Sequence, residues 1–548
     1  MNHINFRDNK LVVTFKYDPA LVAAVKSITG RIFVKKHSHW EIPAENALEA
    51  ITVLQKHGFT PTLEAKRLAD AQRAEIAISE EIKAIPAEYT GELPLYDFQK
   101  TGAKFLKTLP HVLLADVPGL GKTIQTIAAT EGCHNRLVFC PKSLQYSWEE
   151  EIKKWCPGES VLVVSGNKLD RSSCWRSYAG WTIANYELLL HDYDLIKNHE
   201  SDHGPWEIIV ADEATRISNP AAKTTKLLKT LKGKKRVALT GTPISNSPED
   251  IFSIIDWICP GYLGTYYQFL DQYTVKEPRF NRIVGYKNLS ALSEKISRFM
   301  LRRTKEEVLK DFPAKTVENI SFELTPEEMR LYDAVRLQII SEIKDLMVNK
   351  ATLGLIPVKM LRLKQVTDHR ALITGKTESS SKLEALKEIL APIAASGDKA
   401  IVFTQFAEMA KILLSELNIY QPRIIMGEIS AENRQKAVEE FTNDPECKVI
   451  VMTEAGAYGL NLQAASYVVH YDAPWSVAKL TQREDRAHRI GQTKPVTIYN
   501  LIAKNTIDEY VMKILHRKQK ISVDVLQDVE RLEAAGIGEE DIKAILRL

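Results

Sequence analysis

The stretch Val112-Leu113-Leu114-Ala115-Asp116-Val117-Pro118-Gly119-Leu120-Gly121-Lys122-Thr123 decides the fold. An apolar run enters a short loop, and Ile124, Ile127 and Ala128 continue beyond it at helical spacing. A strand that becomes a helix in this way aims backbone N–H groups and the positive end of the helix dipole at one small volume. Lys122 adds a point charge there and Thr123 a hydroxyl suited to magnesium, with Gly119 and Gly121 in the loop itself. The reading is a site for a nucleoside triphosphate. Asp116 stands where the usual pattern has its first glycine, and a Gly-Lys-Thr turn also occurs on plain surfaces, so the rest of the chain supplies the context.

Roughly ninety residues further on, Ile208-Ile209-Val210-Ala211 runs into Asp212-Glu213. Buried strands end in carboxylates where a ligand waits; Asp212 would hold magnesium and Glu213 would orient and deprotonate the attacking water. A strand stop followed by a helix N-cap produces the same pair, and the phosphate loop favours the first reading. Near the other end, Trp475 to Ile490 reads as a helix carrying Gln482, Arg486 and Arg489 on one face, at spacings of four and three. Two guanidiniums on one stripe suit a transferring phosphoryl group; a solvated charged face is the alternative.

In this order the blocks resemble the Swi/Snf-related branch of superfamily-two helicase-like ATPases, over about residues 90 to 515. The further blocks are Leu95-Tyr96-Asp97-Phe98-Gln99, Cys140-Pro141-Lys142-Ser143-Leu144 with Trp148, Ala184-Asn185-Tyr186-Glu187, Asp212-Glu213-Ala214-Thr215, Leu239-Thr240-Gly241-Thr242-Pro243-Ile244 with Asn246, and Met300-Leu301-Arg302-Arg303-Thr304-Lys305. The second half adds Val402-Phe403-Thr404-Gln405-Phe406, Thr453-Glu454-Ala455-Gly456 with Gly459-Leu460-Asn461-Leu462-Gln463, and Gln482 to Gln492. The resemblance implies that Gln99 reads adenine, that Gly459 joins the nucleotide site, and that Lys142, Thr242, Thr404, Thr453, Asn461 and Trp475 contact DNA. It implies two RecA-like lobes, ATP and Mg2+ as cofactors, and catalysis by Lys122, Asp212, Glu213, Gln482, Arg486 and Arg489. The sequence departs from the family pattern at Val117-Pro118, Thr215 and Val477, and none of these removes a charge the chemistry needs.

With 548 residues the chain is too long for one core. Its 45% hydrophobic and 26% charged content is that of an ordinary globular protein, and no apolar stretch reaches the length of a membrane span. The Met-Asn-His-Ile start lacks a leader pattern, so the expected location is a bacterial or viral cytoplasm, or the nucleus of a eukaryotic cell. Six cysteines without paired metal spacing read as reduced thiols. The net charge of +3 does not announce a nucleic-acid binder, but Lys223, Lys226, Lys229, Lys232, Lys234, Lys235 and Arg236 cluster before Thr240; they suit backbone phosphates or a solubilising helix face.

The expected fold class is α/β: two parallel-sheet lobes with helical insertions and a small α+β N-terminal module. The first lobe's runs are Val112–Ala115, Leu137–Cys140, Ile208–Ala211 and Val237–Leu239; the second's are Ile401–Thr404, Arg423–Met426, Val449–Met452, Val468–Tyr471 and Val496–Asn500. The expected divisions are a module at 1–60, a helical tether at 61–90, lobe one at 91–310, a helical linker at 311–380, lobe two at 381–515 and a helical tail at 516–548. The module reads β-α-β-β-α and resembles the HARP domain of annealing-type Swi/Snf relatives through Phe15-Lys16-Tyr17-Asp18-Pro19, Val25-Lys26 and Trp40-Glu41-Ile42-Pro43. Phe15, Tyr17, Phe33 and Trp40 either stack on bases or form its core. These readings lead to an ATP-driven motor on double-stranded or branched DNA, without a membrane partner. A strand-separating helicase and a DNA-binding scaffold that has lost hydrolysis are the alternatives.

Overall fold

The computed structural model describes residues 2–84, 93–244, 247–277, 283–309, 312–348, 356–375, 380–454, 460–526 and 531–533; for 343–348, 356–358, 431, 520–526 and 531–533 only the backbone is described. The chain folds as two compact units, one reaching Thr304 and including the strand Arg531–Glu533, the other running from Lys305 to Lys520.

The first unit carries a seven-stranded sheet in the order Met300–Leu301, His111–Leu114, Gly233–Leu239, Trp206–Asp212, Arg136–Cys140, Trp181–Asn185, Val161–Val163. Every pairing in it is parallel, so the carboxyl ends share one edge, where ligands of such sheets bind. Arg136–Cys140 is buried along its length, which is why Leu137–Cys140 reads as a continuous apolar run. Trp181–Asn185 belongs to this sheet and escaped the list of expected runs because Thr182 and Asn185 interrupt it.

The N-terminal module belongs to the same unit. Its five-stranded sheet, ordered Ile32–Val34, His39–Pro43, Lys10–Thr14, His3–Arg7, Thr60–Pro61, holds two strands more than expected, His3–Arg7 at the start and Thr60–Pro61 at the end. His3–Arg7 pairs antiparallel with Lys10–Thr14 across Asp8-Asn9, both at positive φ (48° and 58°), the backbone that a tight two-residue hairpin needs. Phe15 packs edge-on against Phe59 at 5.6 Å and Trp40 lies 5.0 Å from Phe33. Phe15 and Trp40 line the module's core, whereas Tyr17 is 85% exposed.

The expected tether is a helix, Leu63–Ala84, that is packed rather than free. Ala65 and Ala69 enter the module's core, and Ile82 enters the core of the seven-stranded domain. Ser79 Oγ donates to the Arg298 carbonyl (3.1 Å), Lys83 Nζ to the Ser297 carbonyl (2.7 Å), and Glu75 pairs with Arg298 (2.9 Å). The module itself docks through Lys295 to Glu49 (3.0 Å) and Gln268 Nε2 to the Arg31 carbonyl (3.0 Å).

The second unit holds a six-stranded parallel sheet ordered Lys315–Phe322, Val496–Ala503, Tyr467–His470, Ala400–Thr404, Val449–Thr453, Arg423–Ile425. Lys315–Phe322 lies where a helical linker was expected. As an edge strand it is exposed over most of its length, so its sequence lacks a buried run. The expected C-terminal tail begins as the end of helix Ile507–Leu526, and Arg531–Glu533 pairs antiparallel with Ile283–Lys287. Among the described residues no helix is long and apolar enough to cross a membrane, and all six cysteines are free.

Candidate functional site

The loop that leaves strand His111–Leu114 turns through Gly119 (φ 89°) and Gly121 (φ 74°), conformations that favour glycine, and opens the helix Lys122–Ala129. A Cβ at Gly121 would stand 2.5 Å from Gln99 Nε2, so the loop's backbone and Gln99 are pressed together. Gln99 is buried, donates to the Leu120 carbonyl (3.2 Å) and accepts from the Tyr96 N–H (3.1 Å). Lys122 Nζ donates to the Asp116 carbonyl (2.9 Å). The departure at Val117-Pro118 is a packing feature: a Cβ at Gly241 would meet Pro118 Cδ at 2.5 Å, so the proline seats the loop against the Thr240-Gly241-Thr242 turn. Thr242 N–H donates to Thr240 Oγ1 (3.1 Å).

Leu114, Leu239 and Asp212 stand level across three adjacent strands. The phosphate loop, the Thr240 turn and the Asp212-Glu213 pair therefore share one sheet edge. Asp212 Oδ2 accepts the Trp148 indole N–H (2.8 Å), Oδ1 accepts the Glu213 N–H (2.9 Å), and the Asp212 carbonyl accepts the Tyr186 hydroxyl (2.7 Å). Burial raises the Asp212 carboxyl above its usual range, against the opposing pull of the Trp148 N–H and the Lys122 charge. Glu213 sits at φ 51°, a left-handed backbone costly for a residue with a Cβ, which turns its side chain away from the strand's own alternation. Trp148, which shares a sequence block with the expected DNA contact Lys142, is buried and serves Asp212. Lys142 of that block is exposed. In the basic cluster, Lys229 pairs with Asp256 (2.5 Å), and Lys235 and Arg236 donate to the carbonyls of Lys107 (3.0 Å) and Trp257 (2.7 Å). Those three therefore hold the fold.

In the second unit the expected helix from Trp475 to Ile490 is shorter. It spans Val477–Glu484 and carries Gln482; Arg486 and Arg489 follow it in turns. After Glu484 the Arg486 and Ala487 N–H groups turn to the carbonyls three residues back, and in the turns that follow Lys305 Nζ takes the Asp485 carboxylate and the His488 carbonyl. Arg486 Nη1 donates to the Leu460 carbonyl (3.4 Å) and Arg489 to Asn461 Oδ1, which brings both arginines to the 460–463 loop. Gln492 Nε2 fixes that loop through the Gln463 (3.1 Å) and Ala465 (2.9 Å) carbonyls. Gly459, Asn246 and Ala455-Gly456 lie outside the described residues.

Two of the expected DNA contacts are buried in this structure. Thr404 is fully buried and its hydroxyl donates to Asp472 Oδ2 (2.6 Å); Thr453, beside it in register, is also buried. Asp472 further accepts the Gln405 N–H (2.9 Å) and side-chain amide (2.7 Å). Burial pushes its carboxyl up, but Lys364, Arg483 and the Thr404 hydroxyl outweigh that and leave it below the usual range. The strand-end Thr404 thus anchors a buried charge network. Arg483, missed in the sequence, joins it by donating to the Asp472 carbonyl (2.7 Å) and pairing with Glu454 (3.0 Å). Asn461 is exposed, and Trp475 is half-buried with Lys364 Nζ 5.7 Å from its ring centre.

A parallel sheet that sets a phosphate loop and an Asp-Glu pair on one edge defines the first unit as a nucleoside-triphosphate-binding α/β domain. The family models for the SNF2-related domain and the helicase conserved C-terminal domain match residues 98–372 and 381–491. The chain belongs to the SNF2-related family. It is 33% identical over 457 residues to an uncharacterized ATP-dependent helicase of Mycoplasma pneumoniae, covering 80% of this chain and 43% of that one. It is 29% identical to the TATA-binding protein-associated factor mot1 of Aspergillus fumigatus, over 87% of this chain and 29% of that one. The chain thus spans less than half the length of these relatives. The solved Sulfolobus solfataricus SWI2/SNF2 ATPase core in complex with dsDNA is 32% identical, covers 85% of this chain and 99% of its own, and superposes with a TM-score of 0.39.

Proposed function

We propose that this chain is an ATP-hydrolysing motor that moves along double-stranded DNA, and that its N-terminal module directs it to branched or forked substrates. The observation that carries the reading is the shared edge in the first unit, where Lys122 lies close enough to Asp212 to act on its ionisation. The donor set fits a triphosphate with Mg2+: loop amides and Lys122 for the β- and γ-phosphates, Thr123 and Asp212 for the metal, Gln99 for the base. The metal, when bound, neutralises charge on the phosphates. Glu213 orients and deprotonates the attacking water, and Gln482, Arg486 and Arg489 are assigned to the charge on the transferring phosphoryl group.

Lys142, Thr242, Asn461 and Trp475 remain the proposed backbone grips on DNA. Such contacts neutralise phosphates without reading sequence. Forked-DNA preference is assigned to the module's exposed Tyr17, Phe33, Lys35 and Lys36. The test is ATP turnover without DNA, with linear duplex and with forked DNA, for the wild type and for Lys35→Glu with Lys36→Glu. Duplex should stimulate turnover, and charge reversal should remove the excess on forks alone. Equal turnover on linear and forked DNA in the wild type would end the fork reading; no stimulation by any duplex would end the motor reading.

A further inference from the structure

Arg303, in the block that closes the first unit, is 187 residues from Asp116 in sequence, yet its guanidinium grips that carboxylate with two N–H groups: Nε to Oδ1 at 3.0 Å and Nη2 to Oδ2 at 2.6 Å. Nη2 also donates to Gln125 Oε1 (2.9 Å) and Nη1 to the Phe98 carbonyl, with the guanidinium 5.4 Å from the Phe98 ring centre. Asp116 is fully buried, and its third bond comes from Gln125 Nε2 (3.2 Å), which also donates to the Leu120 carbonyl (3.1 Å). The Arg303 carbonyl accepts the Val117 N–H (3.1 Å). Asp116, Val117 and Leu120, all in the phosphate loop, are therefore held by Arg303 and its partner Gln125.

The surrounding helix is cut to admit this arrangement. A Cβ at Gly102 would stand 1.7 Å from Gln125 Oε1 and 2.9 Å from Arg303 Nη2, so any larger residue would displace both. The fork also accounts for an aspartate where the usual loop has glycine, because the side chain points inward as an anchor and does not cradle phosphate. A planar, bidentate, buried ion pair fixes geometry more tightly than a single hydrogen bond.

We propose that Arg303 is a positioning residue for the phosphate loop. Acting through Asp116 and Gln125, it holds the loop in the shape that receives the triphosphate. The proposal rests on the nucleotide reading above, and Lys122→Ala serves to separate the two.

The experiment uses the full chain in four forms: wild type, Arg303→Lys, Gln125→Met and Lys122→Ala. Affinity for a fluorescent ATP analogue with Mg2+, steady-state ATP turnover with duplex DNA, and thermal unfolding are measured for each. Arg303→Lys keeps the charge and loses the fork; it should raise KM and the analogue Kd about tenfold while kcat at saturating ATP stays within about threefold. Gln125→Met, which adds no charge, should weaken binding about threefold. A folded Arg303→Lys protein with wild-type KM would overturn the proposal whatever its melting temperature. Should that variant not fold, an unchanged KM in Gln125→Met would overturn it equally. Unchanged analogue binding in both Lys122→Ala and Arg303→Lys would remove the nucleotide assignment itself.

Discussion

Trp148 and Asp212 show how a single buried hydrogen bond tunes the candidate site. The indole N–H opposes the burial that raises the Asp212 carboxyl, and Asp212, as the proposed metal ligand, would have to be ionised to bind. Trp148→Phe keeps the packing and removes the donor, so the Asp212 carboxyl should rise further. The acid limb of the pH–rate profile should move to higher pH, and turnover at neutral pH should fall roughly tenfold, the scale of one hydrogen bond to a charged group. A pH profile of ATP turnover for the folded variant checks this; an unshifted acid limb would refute the role. The loop and the Asp-Glu pair were legible in the sequence because each motif is a run of neighbours on one turn or strand end. Trp148 and Arg303 were not assigned these roles, since their partners lie 64 and 187 residues away and only the sheet brings them together. Thr404 was recognised by its block, but a strand-end hydroxyl carries no mark of whether it faces the edge or the interior. Asp472 claims it.

At the scale of elements, the buried parallel strands were readable as apolar runs, and the misreadings have physical causes. Lys315–Phe322 is an exposed edge without a continuous run, and the helix after Trp475 stops at Glu484, where the Arg486 and Ala487 N–H groups turn to the carbonyls three residues back. His488 is buried against Lys305 and Lys315 in that turn; burial first, then these charges, push its imidazole down to about 4. A base depressed in the folded state contributes stability that is fully present above its unfolded pKa and is lost as pH falls from about 6.5 toward about 4. The second unit should therefore lose about 3 kcal/mol across that window. Urea unfolding followed at several pH values would show it, and His488→Gln should flatten the loss. Helix Leu63–Ala84 supports a second expectation. Glu75 pairs with the nearly buried Arg298, and removing one partner of such a pair leaves a charge uncompensated. Glu75→Ala should cost the first unit about 2–3 kcal/mol in urea unfolding, whereas a tether free of the domain would show no change.

For the whole molecule, the sequence correctly separated two parallel-sheet lobes. It also set the N-terminal module apart from the motor, where the structure makes it part of the first unit through Leu63–Ala84, Lys295 and Gln268. Docking of that kind depends on side chains scattered from Arg31 to Arg298, a pattern no local motif records. The central claim is that the Lys122 loop and the Asp212-Glu213 pair form an ATP-hydrolysing site driven by DNA. Its most direct measurement is ATP turnover, with and without duplex DNA, in the wild type and in Lys122→Ala, with folding of each checked by thermal unfolding. The account predicts duplex-stimulated turnover in the wild type and its near-complete loss in a Lys122→Ala protein that still melts cooperatively and still binds duplex. Turnover at the wild-type level in that folded variant, or a wild type that hydrolyses no ATP with duplex present, would contradict it.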